Sequence, residues 1–218
     1  MNKRFQEYKT VIFDCDGVVL DSNRVKSDAF YNSVLAYGEE PAKALLEFHQ
    51  ENGGVSRYKK FDHFFESIFP LGDAEQERGH ALQLYSQYVW EGLLKCKLEP
   101  SLVELRKKYL DSKWMIVSGG DQTELRDLFS KRAIHEHFDG GIFGSPDTKE
   151  QILTRELDKE NIATPAIFIG DSKYDYIAAT SAGLDFIFVS QWTEMADWKS
   201  WVDCNNIRSA KTLKDIIC

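Results

Sequence analysis

The stretch Thr-Val-Ile-Phe-Asp-Cys-Asp-Gly-Val-Val-Leu-Asp-Ser, at residues 10 to 22, decides the fold of this chain. Its first four residues are typical of a buried β-strand, and they lead directly into two carboxylates, Asp14 and Asp16. Two like charges about 4 Å apart repel by roughly 4 kcal/mol at an effective dielectric near 20, so the pair is unfavourable unless other groups compensate it. One interpretation is a reactive centre, and the alternative is an ordinary turn rich in Asp and Gly.

The bulk composition excludes several classes of protein. The chain has 218 residues, 43% hydrophobic and 28% charged, which suits either one globular core of ordinary size or a core that carries a smaller second unit. A net charge of −8 without a basic stretch argues against a nucleic-acid partner. No run approaches the ~20 apolar residues of a membrane span, and the first residues lack a signal-peptide apolar region. We expect a cytoplasmic protein without a membrane partner, either a monomer or a homodimer.

The cysteines give no sign of a metal site or a disulfide framework. They are far apart in the chain and form no CxxC pair: Cys15, Cys96, Cys204 and Cys218. A reduced, cytosolic environment is the simplest interpretation.

Residues 23 to 96 have the pattern of amphipathic helices. Their apolar residues recur at spacings of three and four, and no convincing strand lies among them. Gly53-Gly54 breaks the pattern, and Ser56 is expected to cap a helix that begins at Arg57. We therefore predict an all-helical cap domain at residues 23–96.

Helices and short apolar runs alternate in the rest of the chain. The runs after the first strand lie at residues 114–117, 141–143, 166–169 and 186–189. This alternation predicts an α/β fold, with a doubly wound, Rossmann-like parallel sheet covered on both faces. Residues 1–22 and 97–218 would form this core.

Reactive side chains follow the apolar runs. Asp14 and Asp16 follow the first, Ser118 follows the second, Asp171 follows the run at 166–169, and Lys149 begins a predicted helix. Ligands of open parallel sheets bind at the carboxyl ends of the strands, so we expect these groups to converge at one edge.

The ordered set of motifs resembles the haloacid dehalogenase superfamily. The matching residues are Asp14 to Ser22, Ser118, Lys149 and Gly170 to Asp175, and they span most of the core. The resemblance is to the subgroup with a helical cap after the first strand, which includes phosphoglycolate phosphatases and β-phosphoglucomutases.

The resemblance implies distinct roles for the first two carboxylates. Asp14 would be the nucleophile and form an aspartyl-phosphate. Asp16 would protonate the leaving oxygen and then activate water, a role worth about 10²–10⁴-fold in rate. Relatives that cleave carbon–halogen bonds or phosphonates carry other residues at this place, so Asp16 indicates phosphate esters or phosphoryl transfer.

The resemblance also implies a Mg²⁺ cofactor. Its ligands would be the Asp14 carboxylate, the Asp16 carbonyl and the Asp171 carboxylate, since a hard cation prefers oxygen. Asp175 lies one helical turn after Asp171 and would orient ligands or bind through water. The alternative for Asp175 is a surface acid on the first turn of a helix.

The phosphoryl oxygens would be held by Ser118 and by the N–H of Gly119 at a helix start. Lys149 would neutralise the developing charge, although Glu150 follows it where the family often has proline. Taken alone, Ser118 would be a helix cap and Lys149 a solvated surface charge.

The cap is expected to select the substrate. The segment from Gly53 to Arg57 resembles one that places an arginine over the active site in sugar-phosphate members, so Arg57 is a candidate for substrate binding. We expect Lys59 and Lys60 to be solvated surface residues. Lys26 stands where the related mutases carry a histidine, which favours hydrolysis over mutase chemistry.

These patterns predict a Mg²⁺-dependent phosphatase that acts on a small phosphorylated metabolite, a sugar phosphate or a phospho-acid, through an aspartyl-phosphate. One alternative is a phosphomutase that acts on a sugar phosphate. A second alternative is a module that binds a phosphorylated ligand without catalysis, which the retained nucleophile argues against.

Overall fold

An open parallel β-sheet with helices on both faces forms the core of the protein in a computed structural model that describes residues 4–216. Within those residues the sheet has six strands in the order β3-β2-β1-β4-β5-β6, and every neighbouring pair is parallel. The strands are β1 (Thr10–Phe13), β2 (Lys113–Asp121), β3 (Gly141–Ser145), β4 (Ala166–Gly170), β5 (Asp185–Val189) and β6 (Ser209–Ala210). The predicted doubly wound α/β class is confirmed.

Five α-helices accompany the strands in the part of the core that the structure describes. They are α5 (Leu102–Lys108), α6 (Gln122–Lys131), α7 (Lys149–Asp158), α8 (Lys173–Ser181) and α9 (Trp198–Cys204). Short 3₁₀ turns occur at Phe5–Glu7, His135–His137 and Lys214–Ile216. None of the helices between residues 4 and 216 combines the length and apolar character needed to cross a bilayer.

The central strand β1 is buried on both faces. Val11 and Phe13 point into one apolar cluster together with Trp114, whereas Ile12 points into a second cluster together with Phe168. Successive side chains of a strand point to opposite faces, so a continuous apolar run is what a sheet covered on both sides requires.

Residues 23–96, the segment predicted to form the cap and called the cap below, contain four α-helices. They are α1 (Asn23–Val34), α2 (Glu39–Glu51), α3 (Arg57–His63) and α4 (Glu75–Lys95), with a 3₁₀ turn at Leu35–Tyr37 and a π-helical turn at Phe64–Ile68. Aromatic rings fill its centre, where the Phe30 ring centroid lies 4.3 Å from that of Tyr85 and 5.4 Å from that of Phe61. Ser56 caps α3, as predicted, by accepting a hydrogen bond from the Tyr58 N–H.

The two segments that join the cap to the core lie side by side. Leu20 and Leu98 form an antiparallel bridge, and the Asp21 N–H donates to the Lys97 carbonyl at 2.9 Å. The chain therefore leaves the core and returns to it at one place.

Several elements differ from the sequence-based expectations. β2 continues to Asp121 instead of ending at Val117, and α9 and β6 were not predicted at all. Trp198 of α9 stacks on Phe188 with ring centroids 5.7 Å apart, so this tryptophan packs against the sheet. Cys15, Cys96 and Cys204 are free thiols, and Cys218 lies outside the described residues.

Candidate active site

The strand register brings the predicted catalytic residues to one edge of the sheet. Phe13 of β1 pairs with Ile116 of β2 on one side and with Ile169 of β4 on the other. The residues that follow these three therefore lie at the same edge of the sheet. The Asp14 N–H extends the ladder by donating to the Ile169 carbonyl at 2.9 Å. The site side chains at this edge are all buried: Asp14, Asp16, Ser118, Lys149, Asp171 and Asp175.

Asp14, Asp171 and Asp175 form a compact carboxylate cluster. Each offers one oxygen, and the three oxygens lie within 4.8 Å of one another. Asp175 is completely buried, so it is not the surface acid of the alternative interpretation. Its carboxylate accepts hydrogen bonds from the Asp171 N–H at 3.2 Å and the Ser172 N–H at 3.1 Å, which fixes it at the start of α8.

Lys149 is the cation at the centre of this cluster. Its Nζ lies 2.8 Å from Asp14 Oδ1 and also contacts the Asp175 carboxylate. Thr148 caps α7 by accepting a hydrogen bond from the Gln151 N–H, and this fixes the first residue of the helix at the site. Lys149 is 1% exposed, so it is not a solvated surface charge.

One positive charge does not balance the three carboxylates. Burial raises the pKa of Asp14 to about 7 against the lowering effect of Lys149, and the charges of Asp175 and Asp16 add to the increase. Burial and the charge of Asp14 also raise the pKa of Asp171 well above its usual value. The site therefore has a deficit of positive charge.

Asp16 contacts a different set of groups from Asp14, and its pKa is shifted in the opposite direction. Its carboxylate forms an ion pair with Lys26 of the cap and accepts a hydrogen bond from Ser22 Oγ at 2.6 Å. Burial disfavours its ionisation, but Lys26 and the Ser22 hydrogen bond together hold the pKa of Asp16 below its usual value. Neighbouring carboxylates thus have pKa values shifted in opposite directions, a pattern typical of acid and base chemistry.

Two residues near Asp171 were missed by the sequence reasoning. Asn23 donates from Nδ2 to Asp171 Oδ2 at 2.7 Å, and Thr193 donates from Oγ1 to the Asp171 carbonyl at 2.8 Å. Asn23 directly follows the opening motif, and Thr193 follows the carboxyl end of β5, so their positions were the available signals.

Gly17 allows the Asp171 carboxylate to lie against the backbone of the loop after β1. Its φ is +75°, and a Cβ at this position would lie 2.0 Å from Asp171 Oδ2.

The predicted phosphate-binding pair lies on a strand. Ser118 and Gly119 belong to β2, and α6 begins only at Gln122, so the expectation of a helix start at Gly119 is wrong. Pairing of Asp121 with Ser145 of β3 keeps this segment extended. Ser118 Oγ accepts a hydrogen bond from the Gly120 N–H at 3.0 Å, which leaves its own proton available to donate.

A cavity of about 710 Å³ lies between the core and the cap. Asp14, Asp16 and Asp171 line it from the core, and Lys26 and Arg57 line it from the cap. Its size suits a small molecule.

Arg57 is already engaged by protein groups. Its guanidinium donates to both carboxylate oxygens of Glu124, at 2.9 and 2.6 Å, and to Ser86 Oγ at 3.0 Å. It also lies 4.6 Å from the ring centroid of Tyr85. Glu124 belongs to α6 of the core, so Arg57 joins the cap to the core across the cavity.

The expectation for Lys60 is wrong, whereas that for Lys59 is confirmed. Lys59 is exposed, but Lys60 is 1% exposed and lines the cavity. Its Nζ lies 2.6 Å from His49 Nδ1, on α2. The lysines are adjacent in α3, but only Lys60 is on the face that packs against α2 and Phe30.

The carboxylate cluster fits a hard divalent cation. Asp14 Oδ1 is buried and accepts no hydrogen bond of regular geometry, although Lys149 Nζ lies 2.8 Å from it. Carboxylate oxygens are the ligands that Mg²⁺ prefers, and three carboxylates converge here with one cationic side chain among them.

A family model for haloacid dehalogenase-like hydrolases matches residues 8–183. The chain belongs to this family. Residues 8–183 include the six buried site side chains and residues 23–96, whereas Thr193, which donates to the Asp171 carbonyl, lies beyond them. Curated proteins gave no sequence match to the chain.

Solved structures of several bacterial proteins share this hydrolase fold. A predicted phosphatase from Clostridium acetobutylicum aligns with a TM-score of 0.75 and 19% identity, over 96% of each chain. A phosphonoacetaldehyde hydrolase-like protein from Oleispira antarctica aligns with a TM-score of 0.76 and 13% identity, over 99% of this chain and 92% of the other. A haloacid dehalogenase-like family protein from Streptococcus pneumoniae aligns with a TM-score of 0.63 and 21% identity, over 96% and 97%. At these identities the likeness shows the fold alone.

Proposed function

We propose that the protein is a Mg²⁺-dependent phosphatase that hydrolyses a small phosphorylated metabolite through an aspartyl-phosphate. The observation that supports this most is the contrast between Asp14 and Asp16. One carboxylate belongs to a buried, cation-deficient cluster, and the other, two residues on, has its own cationic partner. Hydrolysis through an aspartyl-phosphate uses an ionised nucleophile and a separate acid–base group, and a bound Mg²⁺ would lower the raised pKa of Asp14 and so favour its ionised form.

In the first step the Asp14 carboxylate attacks phosphorus, and the bond between phosphorus and the ester oxygen breaks. Asp16 gives its proton to the departing oxygen, which leaves as an alcohol. In the second step Asp16 removes a proton from water, the water oxygen attacks phosphorus, and Asp14 is released with inorganic phosphate. Atoms and charges balance, because the proton that Asp16 loses first is regained from water.

Lys149 and Ser118 would stabilise the transferring group. Lys149 contacts Asp14 and would donate to a phosphoryl oxygen next to it, while Ser118 would donate its free hydroxyl proton. Asp14, the Asp16 carbonyl and Asp171 would hold Mg²⁺ directly, with Asp175 acting through water. The bound ion would supply the positive charge that the cluster lacks.

Lys26 sets a condition on this mechanism. It favours the ionised form of Asp16, which suits the base of the second step. A phosphate dianion beside Asp14 would bring negative charge close to Asp16 and raise its pKa, which favours the protonated acid of the first step. Substrate binding would therefore prepare the proton donor.

The proposal is tested by measuring phosphate release from aryl and sugar phosphates with Mg²⁺ present. We expect Asp14→Asn to lose essentially all activity, because an amide is a poor nucleophile. Asp111→Asn is the matched control. Asp111 is exposed to solvent and precedes β2, at the edge of the sheet opposite to the site. Equal activity in Asp14→Asn and the wild type would disprove the mechanism. An isomerised sugar phosphate without phosphate release would instead indicate a phosphomutase.

A further inference from the structure

Among the residues that the structure describes, the cavity wall contributed by the cap includes one cation without an anionic partner. Four cationic side chains within residues 4–216 line this cavity: Lys26, Arg57, Lys60 and Lys173. Lys26 pairs with Asp16, Arg57 pairs with Glu124, and Lys173 pairs with Asp197.

Lys60 is the remaining cation, and its surroundings are apolar or weakly polar. Its Nζ contacts His49 Nδ1 at 2.6 Å and lies 5.2 Å from the ring centroid of Phe30. The contact with the His49 carbonyl, at 3.4 Å, is long. An ammonium has three N–H donors, so Lys60 retains donor capacity beyond its bond to the imidazole.

A buried ammonium without a counter-ion is unfavourable. Burial, with repulsion from Lys26, lowers the pKa of Lys60 to about 7. Asp16 and Glu194 oppose this shift, but neither pairs with Lys60. An anion bound beside Nζ would remove the penalty, so the position favours a negatively charged group of a ligand.

We propose that Lys60 binds a carboxylate at the end of the substrate remote from the phosphate, so that the preferred substrates are phosphorylated acids. This inference rests on the proposed phosphatase function, because the cavity that Lys60 lines also contains Asp14. Lys60 thus takes the place of Arg57 as the cap residue proposed to select the substrate. The Arg57 guanidinium is already hydrogen-bonded to Glu124.

The charge of the cavity favours a carboxylate over a second phosphate. The protonated Lys60 ammonium, which a bound anion favours, carries a single charge, and one carboxylate balances it. Glu47, Glu51 and Glu194 also line the cavity, so a second phosphate dianion would add negative charge near existing carboxylates. His49 supports the same arrangement, because burial lowers its pKa well below the usual value and keeps the imidazole a neutral acceptor for Lys60.

The test compares two ligands that differ only at the end remote from phosphate. The probes are 6-phosphogluconate, with a carboxylate at C1, and glucitol 6-phosphate, with a hydroxymethyl group there. Titration calorimetry with Mg²⁺ on the inactive Asp14→Asn protein measures binding without turnover. We expect the acid to bind about 10- to 100-fold more tightly, the range for a hydrogen bond to a charged group.

In the Asp14→Asn/Lys60→Met protein the preference should fall to about one. Lys59→Met in the same background is the matched control and should keep the full preference, because Lys59 is exposed on the same helix. Equal binding of both probes before the Lys60 change, no detectable binding of the acid, or a preference that survives the change would overturn the assignment.

A third probe, fructose 1,6-bisphosphate, addresses the charge of the remote group. Tighter binding of the bisphosphate than of the acid would contradict a carboxylate site. Phosphate release by the wild type is measured separately, so a failed phosphatase function and a failed Lys60 assignment give different results.

Discussion

The Lys26 ammonium of the cap and the Asp16 carboxylate of the core form a buried ion pair. Both side chains are nearly inaccessible, at 11% and 12% exposure. Lys26 belongs to α1, the first cap helix, so the ion pair joins the start of the cap to the acid–base residue of the proposed mechanism.

Replacing Lys26 should therefore destabilise the protein strongly. Lys26→Met leaves a buried carboxylate without its partner, and breaking such a pair costs about 3–5 kcal/mol. The pKa of Asp16 is lowered in the folded state, so the stabilisation is present at neutral pH and is lost as Asp16 protonates in acid. Urea denaturation at pH 7 and in a series that continues well below pH 4, through the lowered pKa of Asp16, measures both effects.

The control for this prediction is Lys43→Met, which removes an exposed pair with Glu39. Exposed pairs contribute about 0–1 kcal/mol, so this variant should be nearly neutral. A similar loss in both variants would show that the Lys26 pair has no special role.

Replacing Asp171 should stabilise the metal-free protein at pH 7. The pKa of Asp171 is raised in the folded state, so folding keeps a proton that the unfolded chain would release, and stability falls as pH rises. Asp171→Asn removes this penalty, worth at most about 1.4 kcal/mol for each pH unit. The gain over the wild type should shrink from pH 7 to pH 5, as measured by thermal unfolding in EDTA.

Mg²⁺ should reverse the order of the two proteins. The ion would stabilise the wild type by compensating its carboxylates, and it would stabilise Asp171→Asn much less. Asp111→Asn should match the wild type under both conditions. The prediction fails if Asp171→Asn is less stable than the wild type at pH 7 in EDTA.

Gly119 should not tolerate a side chain. A Cβ at Gly119 would lie 2.1 Å from the Gly54 carbonyl oxygen of the cap. Because this oxygen belongs to the backbone, it cannot move away as the end of a flexible side chain could. Gly119→Ala should push the cap away from the core and lower kcat/KM for phosphate release by about tenfold or more, since a misplacement of about 1 Å can cost about 10²-fold.

Gly79→Ala is the opposite case. Nothing lies within 4 Å of a Cβ at Gly79, which is exposed in α4, so alanine should stabilise the helix by about 0.5–1 kcal/mol. Its activity should be unchanged. Equal activity of the Gly119 and Gly79 variants would mean that close contact between cap and core is dispensable.

Local sequence patterns were sufficient to predict which site residues lie at the carboxyl edge of the sheet. Asp14, Lys149 and Asp171 each occupy a fixed place relative to a strand or helix, and parallel strands bring such places together. The sequence did not reveal that β2 continues through Gly119, because that extension depends on pairing with β3.

The cap residues could not be assigned in the same way. Lys59 and Lys60 are neighbours with the same chemistry, and only the packing of α3 against α2 buries one and exposes the other. Likewise, Arg57 was predicted to face the substrate, but its partner Glu124 lies 67 residues away in sequence. Contacts at that separation follow from tertiary structure and not from periodicity.

The bridge between Leu20 and Leu98 has a consequence for how this architecture can vary. Because the outgoing and returning segments are already paired, the distance that any inserted unit must span is fixed by the core and not by the insert. A cap of different length or composition could be exchanged there without disturbing the order of the strands. Substrate range can therefore change with the inserted unit, provided that the replacement again supplies partners for Asp16 and Asp171, as Lys26 and Asn23 do here.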